Sequence, residues 1–322
     1  METDKPLVSI LMAVYKPNEK WLREQLISLN EQTYSNIELL VCDDCPESPA
    51  DGKIFSECVT KFPFEIIRNE KNLGSNKAFQ RLTMAGRGKY LSYCDQDDIW
   101  HTDKVERMVK VLEESGSPMV CSDLAIIDGE GRRIADSITK IRKRHVFCEG
   151  GGLAGYLLVR SFVTGCAMMM RADIARASVP FVDSLIHDQW LAINAALNGR
   201  IEVIREPLID YRQHENNQTG ILHGVTTKKD YYEVRIENMR RRIRDYKSRL
   251  SGVEEIRQVV CELEEFNEAR SRYFYKHKHG DLKIMKNHRD FARQDVLIET
   301  VMPFVPDRLM KFLFKVIRKG NI

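Results

Sequence analysis

Through the first 130 residues, short dense apolar runs are separated by longer amphipathic stretches. "VSILMAVY" (8–15), "IELLVCDD" (37–44), "FEIIRN" (64–69), "KYLSYC" (89–94) and "MVCSDLAII" (119–127) each have the length and apolar content of a strand. Between them the spacing turns helical. Leu22, Leu26 and Leu29 recur on one face within 18–32, and a short helix fits before Pro63. Ala78, Phe79 and Leu82 point inward after the Gly-containing turn that opens 72–88, and Val105, Met108, Val109 and Leu112 share a face from about Thr102. Asp128-Gly129 marks a turn. Strands alternating with helices predict an α/β fold with a mostly parallel, Rossmann-like sheet flanked by helices on both faces.

The pattern changes after residue 130. "RIADSITKIRKRHVF" is irregular and basic, and "SFVTGCAMMMRADI" reads as a turn followed by a strand. "HDQWLAINAALNG" is a compact helix stopped at Gly199, and "RIEVIREPLIDYRQH" is another extended run. Helical patterns with dense charge run from Tyr231 to about Glu268. Charge divides the chain as well: residues 225–322 hold 23 Lys+Arg against 15 Asp+Glu, whereas 1–224 hold 27 against 32. Two parts are expected: 1–224, with halves of about 1–128 and 129–224, and a helical, basic C-terminal extension over 225–322.

With 43% hydrophobic and 30% charged residues the composition is that of a soluble globular protein. No apolar run approaches the ~18 residues that span a bilayer, and the polar, acidic "METDKPLVSI" is unlike a secretory signal. Cys42 and Cys45 form a C-x-x-C with no second close pair, so zinc is not expected. The other cysteines are scattered, which suits a reducing, cytosolic compartment. Acidic residues interrupt the basic runs before residue 300, which argues against nucleic acid as a partner.

Ligands of parallel sheets bind at the carboxyl ends of the strands. Two acidic clusters fall there: Asp43-Asp44 after the second strand, and Asp95, Asp97 and Asp98 in "YCDQDDIW" after the fourth. Carboxylates crowded in this way are tolerable with a cation between them, and Mg2+ or Mn2+ takes oxygen ligands together with substrate phosphates. The alternative is a solvated acidic turn with Asp98 capping the next helix.

Taken together, "VSILMAVYKPNEKWLREQLISLNEQTYSNIELLVCDD", "NEKNLGSNKAFQ" and "YCDQDDIW" resemble family 2 glycosyltransferases of the GT-A fold, the last as written in bacterial rhamnosyltransferase-like members. The resemblance covers about residues 6–220. It implies a nucleotide-sugar donor, a UDP- or dTDP-sugar, and Mn2+ or Mg2+ bridging the donor's diphosphate. Ala13, Tyr15 and Asp43 or Asp44 would contact the nucleoside, with Asn72, Gly74, Asn76 and Lys77 near it. Asp95 would face ribose and metal beside Gln96, and Asp97 would bind the metal. The family often continues its Asp-Asp with Gly-Ser, whereas Cys45-Pro46-Glu47-Ser48 follows here, so the base-binding loop departs from the pattern.

Inverting transfer also needs a base for the acceptor hydroxyl. "HDQW" resembles the family's acidic motif with His187 in place of the first acid, which makes Asp188 the base. The competing reading is an Asp favourable to a helix N-terminus without catalysis. "VTGCAMMM" resembles a loop approaching the donor sugar, where Gly165 permits close backbone approach. In "DYRQH", Arg212 is read as a contact for diphosphate or for a structural carboxylate, and His214 as a further metal or phosphate ligand, against the ordinary reading of a lone surface or core histidine.

The end of the chain, "PDRLMKFLFKVIRKGNI", reads as a helix with Arg308, Lys311, Lys315 and Arg318 on one side and Leu309, Phe312, Leu313, Val316 and Ile317 forming an apolar surface. Such a helix suits an anionic membrane interface, or packs on its own domain or a partner subunit. The expectation is a metal-dependent inverting glycosyltransferase acting on a glycan or lipid-linked glycan in bacterial surface-polysaccharide synthesis, cytoplasmic with its tail at the inner membrane face. Two rivals stay open: an Asp-dependent phosphohydrolase, and a non-catalytic nucleotide-sugar-binding scaffold. A nicotinamide dehydrogenase is disfavoured because no G-x-G-x-x-G follows the first strand.

Overall fold

The computed structural model describes residues 5–142, 145–214 and 225–319. The chain divides into two compact units, 1–215 and 216–322. The first is a curled sheet with flanking helices. Its strands are β1 (Val8–Val14), β2 (Ile37–Asp43), β3 (Phe64–Arg68), β4 (Tyr90–Cys94), β5 (Ile99–Trp100), β6 (Met119–Ile127), β7 (Arg133–Ala135), β8 (Met168–Arg171) and β9 (Ile201–Arg212). The helices are α1 (Glu19–Asn30), α2 (Gly52–Cys58), α3 (Ser75–Ala85), α4 (Lys104–Ser115), α5 (Ile138–Ile141), α6 (Ala154–Val159), α7 (Ala172–Ala177) and α8 (His187–Leu197).

The strand order is β3-β2-β1-β4-β8-β6-β9-β5, with β7 beside β6. β3, β2, β1 and β4 run parallel. β8 enters antiparallel between β4 and β6, and β9 returns parallel to β6. All five predicted strands are present, and the "RIEVIREPLIDYR" run is one long strand, β9. β1 and β2 read as nearly continuous apolar runs because helices cover both sheet faces. Leu22, Leu26 and Leu29 of α1 and Phe79 and Leu82 of α3 are buried as their spacing predicts.

The parallel register gathers the functional ends. Val14 pairs with Asp43 and Met12 with Cys94, so β1, β2 and β4 finish side by side. Both acidic clusters therefore occupy one edge of the unit. The D-x-D does not continue β4, which ends at Cys94. Residues 95–98 form a turn into the two-residue β5, so Asp95 and Asp97 come together by a bend and not by strand alternation. Asp98 does not cap α4; that position is Asp103.

The second unit is helical: α9 (Lys228–Tyr231), α10 (Asn238–Arg249), α11 (Glu254–Lys276), α12 (His279–Asn287), α13 (Arg293–Val301) and α14 (Asp307–Lys319). Thr227 and Asp230 open α9 with a capping box. Its interior holds a charged knot, in which Arg270 binds Glu299 and Tyr231 donates to the same carboxylate. No helix of the described residues is long and apolar enough to cross a membrane.

Candidate active site

The first loop at this edge is fastened by Gln96. Its Oε1 accepts from the Tyr15 backbone N–H at 2.8 Å, and its Nε2 donates to the Tyr15 carbonyl at 3.1 Å. This two-point pairing ties the end of β1 to the acidic turn. The side chain named as a donor contact is thus spent on the backbone of Tyr15, whose ring stays exposed beside the half-buried Ala13.

Asp43 and Asp44 are both buried and both hold loops. Asp43 accepts from the backbone N–H groups of Cys45 (3.2 Å) and Ala50 (2.9 Å), closing the Cys-Pro-Glu-Ser excursion. Asp44 accepts from Asn69 Nδ2 (2.7 Å), Leu73 N (2.8 Å) and Gly74 N (2.7 Å). Their oxygens are engaged by the loops that would surround a nucleoside, and contact of either acid with a base remains a proposal. Asn72 Oδ1 accepts from Gly74 N, and Gly74 takes φ +80 at the cap of α3, a conformation that side-chained residues avoid. Asn76 Nδ2 donates to the Leu185 carbonyl at 2.6 Å, and Lys77 lies 3.5 Å from Asp183. Asn76 and Lys77 thereby connect α3 with the segment leading into α8.

Arg212 is held by protein groups on several sides. It has no exposed side-chain surface. Its guanidinium donates to the carbonyls of Asp97, Asp128 and Gly129 and to Glu24 Oε2 at 2.6 Å, and its N–H donates to Asp98 Oδ1. Glu24 supplies a structural carboxylate for it, and Arg212 is an internal strut under the acidic turn. Two residues on, His214 Nε2 lies 2.7 Å from Asp97 Oδ2, and its ring packs on Trp21 with centroids 4.9 Å apart. The structure thus joins two of the three proposed metal ligands across 117 residues of sequence.

Asp95 is the third. Burial, and then the negative charges of Asp97 and Asp188, push its carboxyl up to about 7. Crowded carboxylates favour a cation among them, and carboxylates with an imidazole are donors that Mn2+ or Mg2+ accepts. By donor type these residues suit such an ion. A second cluster lies deeper: ligand atoms of Asp95, Asp98 and Cys166 are mutually within 4.8 Å. There, burial first and neighbouring carboxylates second hold both the Asp98 carboxyl and the Cys166 thiol well above their ordinary values. A protonated acid and thiol make a poor cage for a hard cation; among the described residues this is nevertheless the group of three whose ligand atoms converge, and Asp97 and His214 lie outside it.

Lys104 was not anticipated. It is fully buried, its ammonium sits 3.2 Å from the Trp100 ring centroid, and it donates to the Cys166 carbonyl. Burial pulls it down to about 8, opposed by nearby Cys166, Cys94, Asp98 and Asp95. It supplies fixed positive charge beneath the acidic turn. The available signal was a lysine on the same stripe of α4 as Met108 and Leu112.

From Cys166 the chain leads directly to the other half of the site. Gly165 N–H donates to Asp188 Oδ2 at 3.0 Å, while Asp188 Oδ1 is enclosed and unpartnered. Burial raises Asp188 to about 6. Gly165 is needed for space: a Cβ there would lie 2.8 Å from His187 Nε2. The close approach foreseen at this glycine is made to His187 and Asp188. His187 is a buried neutral ring, pulled down to about 3 by burial and stacked on Phe79 at 4.0 Å.

A turn of acids at the carboxyl ends of parallel strands, facing a buried carboxylate at a helix start, defines the GT-A class of nucleotide-sugar fold. The sequence model of glycosyl transferase family 2 matches residues 9–177, and the chain belongs to that family. Its relatives include an uncharacterized glycosyltransferase of Methanocaldococcus jannaschii, 28% identical over 66% of this chain and 72% of that one. The dTDP-rhamnosyl transferase RfbG of Shigella flexneri is 26% identical over 65% of this chain and 73% of its own length. The UDP-Glc:alpha-D-GlcNAc-diphosphoundecaprenol beta-1,3-glucosyltransferase WfgD of Escherichia coli is 26% identical over 59% and 70%. Among solved structures, S. aureus TarS 1-349 in complex with UDP-GlcNAc superposes with a TM-score of 0.59 at 16% identity, covering 98% of this chain and 92% of that one. The protein is a glycosyltransferase, and the phosphohydrolase rival is set aside.

Proposed function

We propose that the protein transfers a sugar with inversion from a UDP- or dTDP-sugar to a hydroxyl of a glycan or lipid-linked glycan, in bacterial surface-polysaccharide assembly at the cytoplasmic membrane face. The carrying observation is Asp188: one oxygen is fixed by Gly165 N–H, the other is unpaired, and burial raises the carboxyl to about 6 beside the acidic turn. The named donors and acceptor of RfbG and WfgD support the substrate class.

In this reading Asp95, Asp97 and His214 hold Mn2+ or Mg2+. When bound, such an ion would supply Lewis-acid stabilisation of the departing diphosphate. Asp188 Oδ1 takes the proton of the acceptor hydroxyl as its oxygen bonds to the anomeric carbon, and the bond from that carbon to the diphosphate oxygen breaks on the opposite face. Tyr15, Ala13 and Asp43 or Asp44 line the nucleoside side, with Asn72 and Gly74 shaping its loop. Residues 1–224 form the catalytic domain, with its donor half at about 1–128, and 225–322 carry the contact with membrane or partner, α14 foremost.

Asp188→Asn preserves shape and removes the base. Turnover should fall by about 10²–10⁴-fold, while calorimetric binding of UDP or dTDP with Mn2+ stays unchanged. Full transfer activity in this variant would overturn the assignment. Asp97→Asn should instead weaken the metal-dependent part of nucleotide binding.

A further inference from the structure

The helical unit leaves several large apolar side chains in water. Phe304 (72% exposed), Leu297 (66%), Tyr275 (64%) and Phe312 (61%) are the most exposed large hydrophobics among the described residues, and all lie between 275 and 312. They are not remnants of a poorly packed core, because the same elements have a separate inward face. Met310 and Phe314 of α14 are buried, with the Phe314 ring 5.8 Å from that of Tyr231, and Met302 joins them. Val296 and Glu299 turn α13 inward. Leu309, Phe312 and Leu313 leave α14 on another side, and Leu297 and Val301 lie one turn apart on the outer side of α13. The side chains beyond Phe314, Lys315, Val316, Ile317 and Arg318 among them, lie outside the described residues.

Cationic side chains accompany these residues along the same elements. The Phe304 ring lies 5.8 Å from that of His277, whose neighbours Lys276 and Lys278 are exposed. Arg293 lies one turn before Leu297, and Arg308 and Lys311 alternate with the outward residues of α14. The acids of these elements are engaged elsewhere: Asp295 and Glu299 with Arg270, and Asp307 with Lys228 at 3.2 Å. Apolar patches of this kind mark interaction sites. A second copy of the chain, docked about a two-fold axis, would set these cations against their twins. An anionic lipid surface complements the cations and accepts the apolar side chains.

We infer that residues 275–313 form a monotopic docking surface for an anionic bilayer, with Phe304 and Phe312 inserting and Lys276, Lys278, Arg308 and Lys311 meeting the headgroups. This deepens the membrane reading of α14 and is independent of the transfer chemistry. The test therefore needs no turnover, and loss of activity in Asp188→Asn leaves it untouched.

The test is flotation of the full chain with phosphatidylcholine vesicles with and without phosphatidylglycerol. The wild type should float only with the anionic lipid, less so at high salt. A double Phe304→Ser/Phe312→Ser variant should lose about tenfold or more in vesicle affinity with an unchanged Tm, since both rings are outside the core. Arg308→Ser/Lys311→Ser should weaken binding and flatten its salt dependence. Indifference of the wild type to phosphatidylglycerol would overturn the inference, as would wild-type flotation of the double Phe variant. So would a wild-type dimer that the Phe pair dissolves without altering vesicle binding.

Discussion

Gly165→Ala adds one methyl group where the two halves of the site meet. The new Cβ would lie 2.8 Å from His187 Nε2, 3.3 Å from Cε1 and 3.6 Å from Asp188 Cβ. The first contact is about 0.6 Å inside the 3.4 Å at which ordinary contact begins. His187 cannot yield cheaply, since its ring is wedged against Phe79 at 4.0 Å and Tyr93 at 5.5 Å. The strain must move either the start of α8 or the Gly165–Ala167 turn. Overpacking of this kind costs about 1–3 kcal/mol, and a displacement of a few tenths of an ångström at the base should lower kcat by about 10–100-fold, given that ~1 Å costs about 10²-fold. Stability is read by urea unfolding and kcat by release of nucleoside diphosphate. A double-mutant cycle isolates the cause: in a His187→Ala background, which opens the space, Gly165→Ala should cost under about 0.5 kcal/mol. Wild-type stability and kcat in Gly165→Ala, or an equal cost in both backgrounds, would refute the packing argument.

Asp188 sits near 6, so kcat/KM should rise with pH and level off above about 6, and Asp188→Asn should erase that limb. Stability at this residue runs the other way: a carboxyl raised above its unfolded value of about 3.9 stabilises the fold below that pH and loses this as pH climbs through about 6. Lys104→Met keeps the stem but leaves the Cys166 carbonyl without its donor. Unfolding should come about 1–3 kcal/mol sooner, while Mn2+ binding is no weaker because a buried positive charge has gone; an unchanged unfolding midpoint would contradict this. Thr227→Ala should destabilise the helical unit by about 1 kcal/mol. Asp230, held near 2 by the hydroxyl and N–H groups of Thr226 and Thr227, should lose its contribution as pH falls from about 4 toward 2, which thermal unfolding across that range checks.

The acidic turn was legible because its cause is topological: apolar runs alternating with helical stripes imply a parallel sheet, and a parallel sheet has one ligand-binding edge. Asp188 could be proposed as the base only through resemblance, since an acid in a first helical turn looks the same whether it is a base or a dipole partner. The fates of Asp43, Asp44 and Arg212 depended on what lay across from them. An Asp after a strand can face a ligand or knot a loop, and only the positions of Ala50, Leu73 and Gly74 decide. An Arg after β9 reads identically whether it meets a diphosphate or Glu24. β8 was visible as a strand in "CAMMMR", but its antiparallel insertion between β4 and β6 was not, because direction is set by partners and not by periodicity. β5 and β7 are too short to carry any period.

The Arg212 strut has a consequence for how the protein is made. It joins Glu24 to a residue 188 positions later, and through the same guanidinium holds Asp97, Asp128 and Gly129. A ribosome that has delivered both acidic clusters has not yet delivered the residue that fixes the second in place. Sheet and helices can begin to assemble on the nascent chain, whereas the acidic turn waits for the end of β9. A chain interrupted before residue 212 would keep the acids in its sequence without the buried cation that anchors their turn, so the acidic turn takes its final form only once synthesis of the first unit is nearly complete.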